Sequence, residues 1–147
     1  HFKQVNDAYG HQAGDQCIRN LADCIRQTLR NYDTAFRYGG EEFVIMTSDN
    51  SYKESLQRAG KLCDDVETLE ITHNSSPSSR HVTISCGLVH IVPDSDMTIE
   101  ELINRADNAL YEAKKSGRNR VVAYDYTNSE QIGTMNDVPP ASSGAAH

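Results

Sequence analysis

The stretch Gly39-Gly40-Glu41-Glu42-Phe43 lies between two runs of strand-forming residues, Thr34–Tyr38 and Phe43–Thr47. Two adjacent glycines between such runs predict a tight β-hairpin turn, because glycine adopts positive φ angles without steric cost. The turn would hold the carboxylates of Glu41 and Glu42 at an exposed tip, and its lack of side chains would let a phosphate or ribose approach the backbone. Carboxylate oxygens suit Mg²⁺, which proteins commonly hold with one or two carboxylates and substrate phosphates. A solvated hairpin tip with surface acids is the alternative interpretation of these five residues.

Hydrophobic spacing and capping residues predict three helices around the hairpin. The first runs from about Asp15 to Asn31, where apolar residues recur at steps of three and four. The second and third begin at capping-box patterns, Ser51–Glu54 and Thr98–Glu101. Gly117 stands where the third helix would need a C-terminal cap.

Two further strands are predicted, from the alternating segment His81–Val92 and from Arg120–Tyr124. The polar segment His73–Arg80 is predicted to be a loop. Helices that alternate with strands and hairpins indicate a layered α/β or α+β domain, with helices packed on an antiparallel or mixed sheet. Residues 127–147 are rich in Ser, Gly, Ala, Asn and Pro, a composition that predicts a disordered tail.

Composition limits the classes of function. A length of 147 residues fits one domain, and the net charge of −7 argues against a general nucleic-acid or anionic-membrane surface. No apolar run approaches the roughly 18 residues of a membrane span. The four cysteines contain no C-x-x-C pair, which favours buried free thiols in a reducing compartment over a zinc site or a disulfide framework.

Five sequence blocks follow one another along the chain: His1–Asp7, Gly10–Asp15, Arg37–Phe43, Val82–Gly87, and Ala106–Lys114 running on to Gly117–Arg120. Together they resemble the GGDEF-domain diguanylate cyclases, in the variant with glutamate at the third signature position. The resemblance implies a ferredoxin-like, polymerase-palm fold, in which helices flank a central sheet and the signature lies on a β-hairpin. It implies a domain over residues 1–126 whose first strand, before His1, is absent from this sequence.

The resemblance also implies an activity, the condensation of two GTP molecules into cyclic di-GMP with release of pyrophosphate. Mg²⁺, or alternatively Mn²⁺, would assist the attack of each 3′-hydroxyl on the α-phosphate of the other GTP. Because each domain binds one GTP, catalysis would need a homodimer. The family further implies bacterial signalling, a cytoplasmic location for this domain, and an upstream sensor or regulatory domain that could carry a membrane anchor.

By the same resemblance, Glu41 is the principal metal ligand and Glu42 supports metal binding and catalysis. A further metal ligand would be an aspartate on the missing strand. The positions matched to GTP binding are Phe2, Lys3, Asn6, Asp15, Gly39, Gly40, Lys114 and Arg118.

Each group of GTP-binding positions also has a structural alternative. Asn6 and Asp15 match the positions that read guanine, whose N1–H and N2–H₂ a carboxylate can accept; alternatively, Asn6 is a turn residue and Asp15 a helix N-cap. Lys114 and Arg118, on neighbouring turns as the third helix ends, match the cations that bind the terminal phosphates, or they complement the helix dipole. Phe2 and Lys3 match a segment whose backbone amides hold phosphates.

Arg30 and Asp33 form an R-x-x-D pattern shortly before the signature. In many family members this placement marks an inhibitory site for cyclic di-GMP, so the resemblance implies product feedback; a charged helix end is the alternative. Two other functions compete with the enzyme: an inactive cyclic di-GMP receptor and a dimerisation module of a signalling protein. The intact Gly39–Phe43 signature argues against the receptor, and the intact guanine- and phosphate-type positions argue against the dimerisation module.

Overall fold

The computed structural model describes residues 6–7, 10–69, 72–73, 80–127 and 134–138 of the chain. Within these residues, three helices and seven strands with described bounds follow one another in an α+β arrangement, which confirms the predicted class. In chain order they are α1 (His11–Thr28), β1 (Thr34–Gly39), β2 (Glu42–Met46), α2 (Tyr52–Thr68), β3 (Thr72–His73), β4 (Arg80–His81), β5 (Cys86–His90), α3 (Ile99–Lys115), β6 (Val121–Asp125) and β7 (Thr134–Val138). Asn6 and Asp7 belong to a further helical segment.

The described strands pair in three small sheets: β1 with β2, β3 with β4, and β5 with β6 and β7. The chain divides into two compact units. The first contains His1–Asn50 and Asp65–Val82, and the second contains Ser51–Asp64 and Thr83–His147.

In the first unit, helix α1 begins after Gly10, whose φ of 80° lets the chain turn out of a helical segment at Asn6 and Asp7. The Gly10 amide donates to the Asn6 carbonyl at 2.8 Å. The predicted start at Asp15 was therefore wrong, because apolar spacing marks the buried face of a helix but not its polar first turn. That buried face consists of Gly14, Cys17, Ile18, Cys24 and Ile25.

In the second unit, β5 and β6 run parallel, while β6 and β7 run antiparallel. This mixed sheet agrees with the prediction. Helix α3 packs its fully buried Ala109 and Ala113 against Val122 of β6. Gly87 of β5 allows the close approach of α3, because a Cβ atom there would lie 2.3 Å from the backbone of Leu110.

Local signals predicted the starts of α2 and α3 correctly. The Ser51 amide donates to the Glu54 carboxylate at 2.8 Å, and the Glu54 amide donates back to the Ser51 hydroxyl at 3.3 Å. Thr98 and Glu101 make the same reciprocal pair. Both predicted capping boxes are confirmed.

The predicted strand over His81–Val92 is interrupted, since residues 82–85 are not in a strand. Its first residue pairs in β4 with β3, and its later part pairs in β5 with β6. One alternating run therefore serves two different pairing partners, which periodicity does not reveal.

The predicted disordered tail, residues 127–147, contains the strand β7 (Thr134–Val138). Its backbone pairs with the second edge of β6, whose N–H and C=O groups would otherwise lack a neighbouring strand. Disorder was therefore the wrong prediction for these five residues. The domain boundary at residue 126 stays a prediction.

The described parts of the chain contain no helix with the length and apolar character needed to cross a bilayer. All four cysteines are free; Cys17, Cys24 and Cys63 are buried, as predicted, whereas Cys86 is half-buried. Burial raises the pKa of the Cys86 thiol to about 11.

Candidate functional site

The predicted hairpin is present, and its tip is the turn at Gly40 and Glu41. Gly39 pairs with Glu42 across the hairpin, and a register shift between Arg37 and Gly39 bulges the first strand at Tyr38. Gly40 has a φ of 52°, in the left-handed region that favours glycine. The turn therefore depends on Gly40 for its backbone conformation.

Arg37 holds this turn in place. Its Nε donates to the Gly40 carbonyl oxygen at 2.8 Å, and its Nη2 donates to the same oxygen. Because the guanidinium is planar and rigid, two bonds to one oxygen fix the orientation of that peptide. Arg37 lies in the signature block, but no role for it was predicted from the sequence; the one available signal was a cation three residues before the turn glycine.

The space around the turn is open. Glu41 and Glu42 are both exposed, and a Cβ atom placed on Gly39 or Gly40 would meet nothing within 4 Å. A ligand could therefore reach the backbone and both carboxylates from solvent.

The charge of Glu41 acts on helix α1 of the same unit. Burial raises the pKa of the Cys17 thiol, and the Glu41 carboxylate raises it further because a second negative charge nearby disfavours the thiolate. The Glu41 carboxylate therefore lies close enough to α1 to influence the Cys17 thiol of that helix.

Two adjacent carboxylates on an open turn fit a hard divalent cation, which takes oxygen ligands. In the part of the chain that the structure describes, no group of three or more acids, histidines or cysteines is placed to hold a metal ion. Glu41 and Glu42 are therefore not joined by a third protein ligand there. Mg²⁺ commonly completes its coordination with water and substrate phosphates, so two protein ligands are compatible with such a site.

The two residues predicted to read guanine also lie in the first unit. Asn6 is half-buried in its helical segment, whereas Asp15 is exposed within α1. The alternative role of Asp15 as an N-cap is wrong, because Gly10 occupies that position. Guanine recognition by Asn6 and Asp15 stays a prediction, and Phe2 and Lys3 lie outside the described residues.

The predicted phosphate-binding pair belongs to the second unit. Lys114 is half-buried in the last turn of α3, and Arg118 is exposed in the loop that follows. Arg118 has a φ of 63°, and its amide donates to the Ala113 carbonyl at 3.0 Å, so it helps to end the helix. The prediction that Lys114 and Arg118 occupy neighbouring helical turns is therefore corrected. Gly117, with a φ of 125°, lies just after the Ser116 C-cap and ends the helix as predicted.

Arg30 and Asp33 form a closed turn after α1. The Arg30 amide donates to the Asp33 carboxylate at 2.7 Å, and the Asp33 amide donates to the Arg30 carbonyl at 3.0 Å. The Arg30 guanidinium donates through Nη1 to Oδ1 of Asn50 at 3.0 Å. Sequence reasoning missed Asn50, which lies 20 residues away and carries no motif.

Comparisons with known proteins match most of the chain to one family. The family model for the diguanylate cyclase GGDEF domain matches residues 1–120. The chain is 38% identical over 127 residues to the diguanylate cyclase DgcZ of Escherichia coli, covering 86% of this chain and 42% of that protein. It is 42% identical over 123 residues to the diguanylate cyclase VdcA of Vibrio cholerae, covering 83% of this chain and 36% of that protein. The chain thus spans less than half the length of these two relatives.

Solved structures support the same fold. The GGDEF domain of DgcB from Caulobacter crescentus, crystallised with c-di-GMP, has a TM-score of 0.72 and 33% identity, over 84% of this chain and 71% of that one. The active GGEEF domain of a diguanylate cyclase from Vibrio cholerae has a TM-score of 0.68 and 27% identity, over 83% of this chain and 75% of that one. The palm-like fold implied by the sequence blocks is therefore confirmed.

Proposed function

Because the chain belongs to the GGDEF domain family of diguanylate cyclases, we propose that it condenses two GTP molecules into cyclic di-GMP and releases two pyrophosphates. The observation that carries this proposal is the hairpin tip, where Glu41 and Glu42 project from an open turn clamped by Arg37. Phosphoryl transfer asks the protein mainly to position the reactants and to neutralise charge. The hairpin tip offers a fixed backbone and two carboxylates for that purpose.

Glu41 and Glu42 would hold the divalent ion, with Mg²⁺ as the expected metal and Mn²⁺ as an alternative. Bound there, the ion would offset triphosphate charge and activate the attacking 3′-hydroxyl. Gly39 and Gly40 would admit the nucleotide, since no neighbouring group fills the space beside them. Arg37 would keep the turn in one conformation during turnover.

The remaining GTP contacts are assigned by their match to the family positions. Asp15 would accept hydrogen bonds from the guanine N1–H and N2–H₂, and Asn6 would bind the same base. Adenine lacks that pair of donors, so ATP would leave the Asp15 carboxylate unpaired and be rejected. Lys114 and Arg118 would bind the terminal phosphates, and the backbone amides of Phe2 and Lys3 would assist them.

The assembly follows from the chemistry. Each domain would present one GTP, so two domains must face each other about a two-fold axis. We place the domain in the cytoplasm, where GTP is available, under the control of a sensor or regulatory domain elsewhere in the protein.

We also propose that cyclic di-GMP inhibits the enzyme at Arg30 and Asp33. Arginine can donate two parallel bonds to a guanine edge or a phosphate, and a carboxylate can accept from guanine. The closed turn that joins the two residues supports this role, because it holds the Asp33 carboxylate at the Arg30 backbone while the Arg30 side chain remains exposed.

The test is to incubate the full-length protein at high concentration with GTP and Mg²⁺ and to quantify cyclic di-GMP by chromatography, with ATP as a control substrate. We expect cyclic di-GMP from GTP and no cyclic product from ATP. Absence of product from GTP would reject the cyclase. Binding of cyclic di-GMP without synthesis would instead identify a receptor.

A further inference from the structure

We infer that Asn50 is a positioning residue for cyclic di-GMP, holding the Arg30 guanidinium in the orientation that receives the ligand. The inference rests on the proposed product site at Arg30 and Asp33. It concerns a residue that neither the signature nor the R-x-x-D pattern contains.

Asn50 is itself fixed by two hydrogen bonds. Its Oδ1 accepts from Arg30 Nη1 at 3.0 Å, and its Nδ2 donates to the Ser48 carbonyl at 2.9 Å. Because the amide has one acceptor end and one donor end, these partners together specify which way it points. Arg30, Ser48 and Asn50 all belong to the first compact unit.

The loop between β2 and α2 presents Asn50 to Arg30. Asp49 has a φ of 55°, a left-handed conformation that aspartate tolerates better than most residues. The next residue after Asn50 is Ser51, which begins α2 through its reciprocal bonds with Glu54. Asn50 therefore follows directly on a specific backbone turn.

The contact to Asn50 leaves Arg30 able to bind a ligand. A guanidinium carries five N–H donors, and the bond to Asn50 involves one nitrogen, Nη1. Asp33 is anchored separately by the Arg30 amide at 2.7 Å. The Arg30 guanidinium and the Asp33 carboxylate are thus both held in position before cyclic di-GMP binds.

Arrangement before binding raises affinity, because a long exposed side chain otherwise loses rotamer freedom when the ligand binds. Asn50→Ala should weaken cyclic di-GMP binding roughly 3- to 10-fold, the effect of ordering one such side chain. Arg30→Ala should weaken binding more, because it removes the group that contacts the ligand. The initial rate of GTP turnover, measured before product accumulates, should be unchanged in Asn50→Ala.

The experiment is isothermal titration of cyclic di-GMP into the full-length wild-type protein and the Asn50→Ala, Arg30→Ala and Asn20→Ala variants. Asn20 is the matched control, because its Oδ1 also accepts one side-chain hydrogen bond, from Gln16 at 2.9 Å. We expect Asn20→Ala to bind as the wild type does. Inhibition constants and initial rates of the same proteins separate product binding from turnover.

The outcomes test the role of Asn50 separately from the product site at Arg30 and Asp33 and from the cyclase activity. Wild-type affinity in Asn50→Ala, with weakened binding in Arg30→Ala, overturns the role of Asn50 and leaves the product site standing. Equal weakening in Asn20→Ala and Asn50→Ala overturns it too, because the effect would then be general destabilisation. Wild-type affinity in Arg30→Ala, or no binding by the wild type, overturns both the product site and the inference, whereas GTP turnover tests the cyclase activity separately.

Discussion

Gly87→Ala should destabilise the protein strongly, because α3 packs with its backbone against β5 at this residue. An added Cβ would lie 2.3 Å from the Ala106 carbonyl oxygen, 2.3 Å from the Leu110 nitrogen and 2.8 Å from the Leu110 Cα. Ordinary contacts begin at 3.4 Å, so the shortest of these distances must grow by 3.4 − 2.3 = 1.1 Å. All three atoms belong to the backbone, so no side-chain rotation can relieve the overlap.

The helix would have to move away from the sheet, which would loosen the packing of Ala109 and Ala113 on Val122. Overpacking of a core typically costs about 1–3 kcal/mol, and a clash confined to backbone atoms belongs at or above the upper end. The lower conformational entropy of the unfolded alanine variant offsets only about 0.4–1 kcal/mol of this loss in stability. We therefore expect a net loss of at least about 2 kcal/mol from a typical stability of roughly 5–15 kcal/mol.

The assay is urea unfolding followed by far-UV circular dichroism, since the chain contains no tryptophan. Gly60→Ala is the matched control: Gly60 lies within α2, and a Cβ there would meet nothing within 4 Å. That variant should gain roughly 0.5–1 kcal/mol from the higher helix propensity of alanine. Equal stability of Gly87→Ala and the wild type would refute the proposed backbone packing.

Three further predictions concern single side chains. Arg37→Ala should raise the Mg²⁺ concentration for half-maximal GTP turnover several-fold, because the variant loses the hydrogen bonds to the Gly40 carbonyl that fix the turn carrying Glu41 and Glu42. An unchanged Mg²⁺ dependence would show that these hydrogen bonds do not support metal binding. Burial alone would raise the pKa of Asp125, but hydrogen bonds from the Thr127 hydroxyl and amide and from His90 outweigh it and lower that pKa below 3.8. The ionised Asp125 carboxylate therefore adds stability that is complete above pH 3.8 and is lost as the pH falls through the lowered pKa of the folded state. In urea titrations, Asp125→Asn should lose less stability than the wild type between pH 7 and pH 3. Equal losses in the two proteins would contradict this pKa shift. The Cys86 thiol, with a pKa raised to about 11, should resist iodoacetamide at pH 8 in the folded protein and react in urea, and equal rates in both states would oppose its burial.

Features set by neighbouring residues could be predicted from the sequence. The hairpin turn depends on Gly40, and the capping boxes at Ser51 and Thr98 close within four residues. The end of α3 similarly follows from Gly117, whose positive φ allows the chain to leave the helix. In each case the side chain that determines the conformation lies in the segment it shapes.

Features set by distant contacts could not be predicted. The break in the segment His81–Val92 and the strand β7 depend on which strand edges are open for pairing. The requirement for Gly87 arises only when α3 packs on β5, and the hydrogen bond from Arg30 to Asn50 forms only when the loop that carries Asn50 reaches Arg30. The positions of Glu41 and Glu42 on the hairpin followed from local pattern, whereas the Arg37 contact that holds their turn required the structure.

The most direct test of the metal-binding hairpin is the rate of cyclic di-GMP formation from GTP and Mg²⁺ by the full-length wild-type protein and by Glu41→Gln, with Glu100→Gln as the control. Glu100 is an exposed acid in the first turn of α3, outside the hairpin. We predict that Glu41→Gln stays folded by circular dichroism but loses turnover at least about 100-fold, because the variant keeps the size of the side chain and loses the charge that binds the metal. Glu100→Gln should turn over like the wild type. Wild-type turnover in Glu41→Gln would contradict the proposal that the Glu41 carboxylate binds the catalytic metal.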